Sequence, residues 1–337
     1  MAVTAAMQAH RHLVLAVSAA LLAPGIAHAQ LVSIEPIAPV EETDRIEIEP
    51  VPTAADAIWM AGLQGGLIDR DGGANSPYAT FSLTRYRQQT YLRAALTVYR
   101  STLRQVDTPL PSTYYIGSIG AGGNFNDWVL DAHVSYGQQR YGLIRTAMTT
   151  VKSDYASTNY VAAGVSLGRV IRPAAQLYLT PTVEIEYVDT KSLHHGFDLG
   201  RPVEIEVAEH IWTGAATLRL DRTFGAYEQN YFGIAASHHR TNTGLTQLYL
   251  ASPGGIAVGG VTDSGKPFAP PPEGGDVVGG APAGLVLVRT PDNWQELEAS
   301  GTIQLSRRLW LDGQLQRSFG AIAGDSTRAT LGFRLRF

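Results

Sequence analysis

The chain closes on a segment in which Ala329, Leu331, Phe333, Leu335 and Phe337 alternate with Thr330, Gly332, Arg334 and Arg336. A period of two puts successive side chains on opposite faces of a β-strand, so one face here is apolar and the other polar. Leu309, Leu311, Gly313 and Leu315 alternate in the same way with Trp310, Asp312, Gln314 and Gln316. Upstream, Leu179, Pro181, Val183 and Ile185 oppose Thr180, Thr182, Glu184 and Glu186, and Leu130, Ala132 and Val134 oppose Asp131, His133 and Ser135. Segments of about ten such residues match a tilted strand that crosses a bilayer. Beyond residue 30 there is no apolar run of about eighteen residues, which excludes a helical span from the body of the chain.

A soluble sandwich also alternates, with one face buried. The polar face here carries small polar groups and charges of both signs, as a wet lumen would, and the links between strands sort by length. The pattern predicts strands near 57–68, 78–87, 90–100, 113–123, 127–138, 158–170, 175–188, 209–221, 228–240, 294–306, 309–319 and 326–337. Every second link is a short turn, such as Arg87-Gln88-Gln89, Asn124-Phe125-Asn126 or Pro173-Ala174. The others include longer stretches at 101–112, 139–157, 189–208 and 241–293. Short turns on one side, long loops on the other and both ends together predict an all-β, antiparallel up-and-down transmembrane barrel of twelve strands. Aromatic residues at strand ends, among them Trp59, Tyr78, Tyr91, Tyr114, Trp128, Tyr187, Trp212 and Trp294, suit interfacial girdles. Two places strain the pattern. Strands one and four are glycine-rich around Leu63-Gln64-Gly65-Gly66 and Gly120-Ala121-Gly122-Gly123, and Pro181 removes a ladder hydrogen bond.

Ahead of the barrel, Arg11, the apolar run Leu13–Leu22 and Ala27-His28-Ala29 predict a secretory signal over 1–29, cleaved near Ala29. The absence of cysteine removes disulfides, thiol chemistry and a lipid-bearing cysteine at that cleavage site. Residues 30–56 hold seven acids against Arg45, with four interspersed prolines, and predict an acidic, Pro-rich periplasmic leader. The chain carries a net −4. Removing Arg11 makes it −5; the leader accounts for −6, so residues 57–337 sum to +1. An acidic balance argues against nucleic acid as a partner.

The terminal Phe337, preceded by Phe333 and Leu335, resembles the signature by which the barrel assembly machinery of the outer membrane recognises its substrates. Over residues 294–337, Trp294-Gln295-Glu296, Leu305-Ser306-Arg307-Arg308-Leu309-Trp310-Leu311, Gly324-Asp325 and Leu331-Gly332-Phe333-Arg334-Leu335-Arg336-Phe337 resemble the last three strands of an autotransporter β-domain. Leu179 to Tyr187 is similar to another strand of that family, proline included. The resemblance implies a twelve-stranded outer-membrane barrel whose lumen is crossed by a segment linked to a secreted passenger. Only about 27 residues lie between the predicted cleavage site and the first strand, too few for a passenger domain, and Pro50 and Pro52 break any helix there.

Ser237-His238-His239 faintly resembles the His-x-Ser motif of outer-membrane lipid hydrolases, but the residues two beyond each histidine are Arg240 and Thr241, so the serine is missing. Asp131 and His133 could pair as in barrel proteases, yet sit near mid-strand. His194-His195 with Asp198 falls in a predicted outer loop. No nucleotide, phosphate or helical metal motif is present. The expectation is a non-enzymatic barrel without cofactor or metal, acting as a passive pore for small solutes or a passenger-less translocator. The alternatives are a non-conducting structural or adhesive barrel and a lipid-modifying enzyme. Its pore-lining residues would be Arg93, Asp131, His133, Glu184, Glu186, Arg219, Glu298, Asp312, Arg334 and Arg336. Its partners would be outer-membrane lipids, lipopolysaccharide and the assembly machinery, with the oligomeric state left open.

Overall fold

The computed structural model describes residues 57–70, 75–105, 108–145, 150–152, 157–198, 201–225, 230–252, 255–256, 276–278, 285–322 and 324–337. The signal and leader segments read from the sequence, and the Gly/Pro-rich stretches Pro270–Gly275 and Gly279–Pro282, lie outside the described residues. Twelve long strands form the body: β1 Ile58–Arg70, β2 Ser76–Arg87, β3 Thr90–Gln105, β4 Thr108–Phe125, β5 Trp128–Tyr141, β6 Ser157–Arg169, β7 Leu177–Asp198, β8 Arg201–Phe224, β9 Asn230–Ser252, β10 Leu285–Ser306, β11 Leu309–Phe319 and β12 Ser326–Arg336. Each pairs antiparallel with its chain neighbours, and β12 pairs with β1 from Arg336↔Met60 to Ser326↔Arg70, which closes the ring. Short strands at Ile171–Ala174, Gly255–Ile256 and Asp276–Val278 attach to it, and Leu143–Arg145 pairs with Thr150–Lys152.

The pairing registers set the dimensions. From Gln64, stepping partner to partner through β2 to β7 reaches Glu209 on β8. Stepping the other way through β12 to β9 reaches Thr223, a stagger of 14 residues. With ordinary strand spacings, that stagger on twelve strands gives a tilt of about 40° and a backbone radius of about 12 Å.

Polarity is inverted relative to a soluble domain. Leu63, Phe81, Leu96, Ile119, Val134, Val183, Leu218, Leu297 and Leu331 are all more than half exposed on the outer face. The buried side chains are mostly polar: Thr80, Ser82 and Thr84 on β2, Ser135 and Gln139 on β5, Thr180 and Glu186 on β7, Thr302 and Ser300 on β10. A closed sheet that satisfies its backbone internally and turns apolar side chains outward is the solution a bilayer demands. Outward Trp59 and Trp128 mark one edge of the apolar belt, and Tyr115, Tyr136, Tyr187 and Trp212 mark the other. Four aromatics expected in the girdles, Tyr78, Tyr91, Tyr114 and Trp294, point inward instead. Their ladder partners, such as Gly66, Gly122, Gln139 and His239, share that face.

The predicted short turns lie together with the C-terminus. The β4–β5 turn is Asn126-Asp127, one residue beyond the expected place, with φ of 52° and 67°. Two left-handed residues make the tight turn that matches strand twist. Several predicted loops are strand. Residues 101–105 with 108–112, and 189–198 with 201–208, extend the β3–β4 and β7–β8 hairpins, and the β9–β10 ladder runs out to Leu250↔Leu285. Val203, Ile205 and Val207 favour extended backbone, and outside the membrane nothing requires the ladder to stop. His194 and His195, read as a loop pair, therefore lie on β7.

Pro181 is accommodated by a break. The β6–β7 ladder ends at Gly168↔Thr182 and resumes at Ile171↔Leu179, so the register skips the proline. That is where a sheet tolerates a missing N–H. At the outer edge β8 leaves β9 above Thr213↔Thr241, and Asn242 replaces the lost partner. Its Oδ1 accepts the Trp212 N–H at 2.7 Å and its Nδ2 donates to His210 O at 3.2 Å.

Ile119 sits outward on β4 at 58% exposure. Ile119→Arg is expected to destabilise the barrel by about 2–4 kcal/mol in bilayers, with Ser118→Arg on the inward face costing less. Urea titration in vesicles measures both; equal effects would mean the belt is not lipid-facing.

Candidate functional site: the charged lumen

Ladder parity places all ten residues named from the sequence on the inward face. Arg334 on β12 lays its guanidinium on Asp312 of β11, with Nε to Oδ2 and Nη2 to Oδ1 both at 2.7 Å, and also donates to Thr302 at 3.1 Å. Arg219 on β8 binds both oxygens of Asp221 through Nε at 2.9 and 2.8 Å. Its Nη1 reaches Glu298 at 3.0 Å and its Nη2 reaches Ser300 at 2.9 Å, both on β10. Arg93, Asp131 and Arg336 complete this half of the lumen, near the short turns. Further out, His133 on β5 faces Glu186 on β7 at 3.6 Å, with side chains only 5% and 3% exposed, and Glu184 lies one lumenal position below.

Four lumenal contacts share one geometry: a side chain crosses a glycine on the intervening strand to reach a partner two strands away. Tyr91 on β3 donates to Asp131 on β5 over Gly122, where a Cβ would stand 2.8 Å from the phenol oxygen. Tyr78 on β2 meets Thr330 on β12 over Gly66, where a Cβ would stand 2.9 Å from the ring. His133 reaches Glu186 over Gly164, and Arg219 reaches Glu298 over Gly233; a Cβ at either glycine would collide with the bridge. The glycines that weaken strands one and four as sequence signals are thus the floor on which lumenal side chains lie down.

A second cluster surrounds Glu296 on β10. His239 stacks on Trp294 with centroids 4.9 Å apart and planes 6° apart, and its Nε2 lies 3.4 Å from Glu296. Trp294 Nε1 donates to Glu296 at 2.9 Å, and Gln316 donates to its other oxygen. Beside it, Arg70, Arg328, Ser318 and Ser326 help line a cavity of about 40 Å³. The sector from β2 to β8 is less polar: Tyr78, Tyr99, Tyr114, Tyr160, Val188 and Ile211 form a buried group, with Tyr99 and Tyr114 centroids 5.5 Å apart. At the outer end of β5, beyond the girdle, burial pushes the Tyr141 hydroxyl up to about 12, so it stays a protonated phenol.

Asp221, Glu296 and Arg328 were missed in the sequence although parity finds them. Asp221 lies two residues from Arg219, Glu296 two from Glu298, and Arg328 shares the parity of Arg334. Arg70 ends the glycine-rich first strand, where parity is weakest. The considered catalytic groups are turned to other partners. Ser237 Oγ accepts from Thr217 at 3.1 Å, His238 faces outward, and Asp131 and His133 are each held by a different neighbour. Among the described residues no three His, Asp or Glu side chains converge as a metal site requires. Phe333 and Leu335 lie outward on β12, and Phe337 N donates to Trp59 O at 3.0 Å.

No protein-family model and no curated protein matches the chain. Solved structures do. The β-domain of the Bordetella autotransporter Brka aligns with 12% identity and a TM-score of 0.54, over 83% of this chain and 99% of that one. The translocator domain of the autotransporter NalP from Neisseria meningitidis aligns with 14% identity and a TM-score of 0.47, over 83% and 88%. An outer-membrane channel from Pseudomonas putida aligns with 11% identity and a TM-score of 0.47, over 88% and 100%. The fold is like that of the Brka β-domain: a closed, twelve-stranded antiparallel β-barrel.

Arg219 neutralises two carboxylates in a site where it is 14% exposed. Arg219→Ala is expected to lower barrel stability by about 3–5 kcal/mol, because it strands Asp221 and Glu298 together. Adding Asp221→Asn should recover part of the loss in a denaturant titration; no recovery would mean that packing, not charge, sets the cost.

Proposed function

We propose that the chain is an outer-membrane barrel of autotransporter-translocator type that works, without a large passenger, as a narrow passive pore for small hydrophilic solutes. The supporting observation is that the lumenal bridges run along the wall. Arg334–Asp312 joins adjacent strands, and Arg219–Glu298, His133–Glu186 and Tyr91–Asp131 join strands two apart. Side chains held flat leave the axis to water, and fixed charges of both signs at the wall select by charge as well as size. Twelve strands stand between barrels of about eight, which side chains fill, and those of about sixteen, which hold a broad aqueous channel. On this reading Arg93, Asp131, His133, Glu184, Glu186, Arg219, Glu298, Asp312, Arg334 and Arg336 line the pore. The barrel is non-enzymatic, is exported by a signal cleaved near Ala29, and is inserted through the assembly machinery that reads Phe333, Leu335 and Phe337.

A second reading rests on the buried tyrosines. Tyr99, Tyr114 and Tyr160 are each 2% exposed, and such a group narrows the outer half of the lumen toward a non-conducting scaffold. Single-channel recording in planar bilayers separates the two. A pore gives stable ohmic steps, and replacing Asp312 and Glu298 by their amides shifts the reversal potential toward anion preference. Silence from a barrel that is folded and heat-modifiable on a gel overturns the pore. In that case Tyr99→Ala with Tyr114→Ala should open one.

A further inference from the structure

The two rims of the apolar belt carry charge differently. At the outer rim some cations meet acids, Lys191–Glu206 at 2.9 Å, His210–Asp189 at 3.4 Å and Arg317–Asp325 at 3.8 Å, while Arg100, Arg140 and Arg240 are exposed there, Arg140 over the Tyr115 ring at 5.3 Å. At the rim with the short turns, Arg85 and Arg87 on β2, Arg169 on β6 and Arg222 on β8 are exposed and face outward. Arg172, just beyond β6, and Arg307 and Arg308 in the β10–β11 turn are exposed beside them. Among the described residues none of these seven has a carboxylate partner, and the acids nearest them in sequence, Asp221 beside Arg222 and Asp312 four residues past Arg308, face the lumen, where Arg219 and Arg334 hold them. Arg85 lies over the Trp59 ring at 5.7 Å and Arg169 over the Trp128 ring at 5.6 Å, each across its own ladder pair at the margin of the belt.

We propose that this arginine girdle binds the phosphates of anionic phospholipids in the leaflet that meets the turn-bearing rim, so that the barrel gathers an acidic lipid annulus there. The inference rests on the barrel standing in a bilayer and not on its conducting. Guanidinium is the side chain suited to phosphate, planar and weakly hydrated, and stacking on an indole fixes it at headgroup depth with its donors turned out. Basic groups at a membrane surface draw acidic lipid within a Debye length. The distribution selects a lipid over the chain's own acidic segment at 30–56. The arginines occur on β2, β6 and β8 and at the β10–β11 turn, around the whole circumference. One short segment could meet a single sector, whereas a leaflet meets all of them.

The test uses the whole mature chain in nanodiscs of phosphatidylcholine with about one-fifth phosphatidylglycerol, followed by gentle extraction and native mass spectrometry of retained lipid. Wild type should retain phosphatidylglycerol several-fold over its share. Arg85→Gln, Arg169→Gln, Arg222→Gln and Arg307→Gln together should bring retention to that share in a barrel that stays heat-modifiable. Lys191→Gln with Arg317→Gln at the other rim should leave the enrichment unchanged. No enrichment in wild type overturns the proposal, as does enrichment that survives the four substitutions. So does enrichment that appears only after Glu41→Gln, Glu42→Gln, Asp44→Asn and Glu47→Gln, because the acidic segment would then occupy the rim. If the pore reading fails in bilayer recordings, the lipid result stands or falls separately.

Discussion

Closure of β1 on β12 is the constraint from which the rest of the molecule follows. Within a bilayer an unpaired backbone N–H or C=O has no water to turn to, so a sheet can stand there only if it has no edge. Eleven ladder positions from Met60↔Arg336 to Arg70↔Ser326 seal the ring, and Phe337 N to Trp59 O extends the seal to the last residue. Because the side-chain period is two, this register also decides polarity. A slip of one residue would put Arg334 and Arg336 in lipid and Phe333 and Leu335 in the lumen. The stagger of 14 then fixes tilt and radius, hence how much space the inward side chains must share.

That space explains the glycines. A barrel of about 12 Å backbone radius cannot let Tyr, Arg and His stand radially from every strand without filling its own axis. Placing Gly66, Gly122, Gly164 and Gly233 on the intervening strands lets Tyr78, Tyr91, His133 and Arg219 lie across them to Thr330, Asp131, Glu186 and Glu298. One residue type so answers two demands. It frees room at the wall, and it lets polar groups that would otherwise sit unpaired find partners two strands away. Buried polar groups in such a lining need those partners, since an unmatched one forfeits its hydration.

Alternation made the strands legible in the sequence because lipid outside and water inside impose opposite chemistries on adjacent residues. Where that contrast is strong, as over 309–319 and 326–336, strand limits and inward residues could both be read. Where glycine supplies neither sign, as in β1 and β4, parity is obscure: Arg70 is missed and Tyr114 is placed in the girdles, as are Tyr78 on β2 and Tyr91 on β3, whose glycine partners lie on those two strands. Beyond the membrane the contrast vanishes, and with it the signal: Asp189–Asp198 of β7 and Arg201–Ala208 of β8 read as loop in the sequence but are strand. The pairing of charges was not legible at all. That Arg219 reaches Glu298 across β9 depends on shear, a property of the closed ring rather than of any one strand.

The same change of solvent governs how the barrel ends. Above Thr213↔Thr241 the β8–β9 ladder can part because water and side chains can satisfy what lipid could not, and Asn242 shows how little is needed. One amide replaces a strand for the backbone of His210 and Trp212, beside the outer aromatic girdle. The wall thereby divides into two hairpins, β7–β8 and β9–β10, and above the split a side chain joins them: Arg289 on β10 donates to Glu209 on β8 at 3.1 Å and to the Ala208 carbonyl. At the opposite rim the described turns, such as Asn126-Asp127, are tight and stay at the belt margin, so the charged side chains there remain at headgroup depth. A barrel with long strands leaving one face and arginines held at the other has its orientation written in where each strand is allowed to stop.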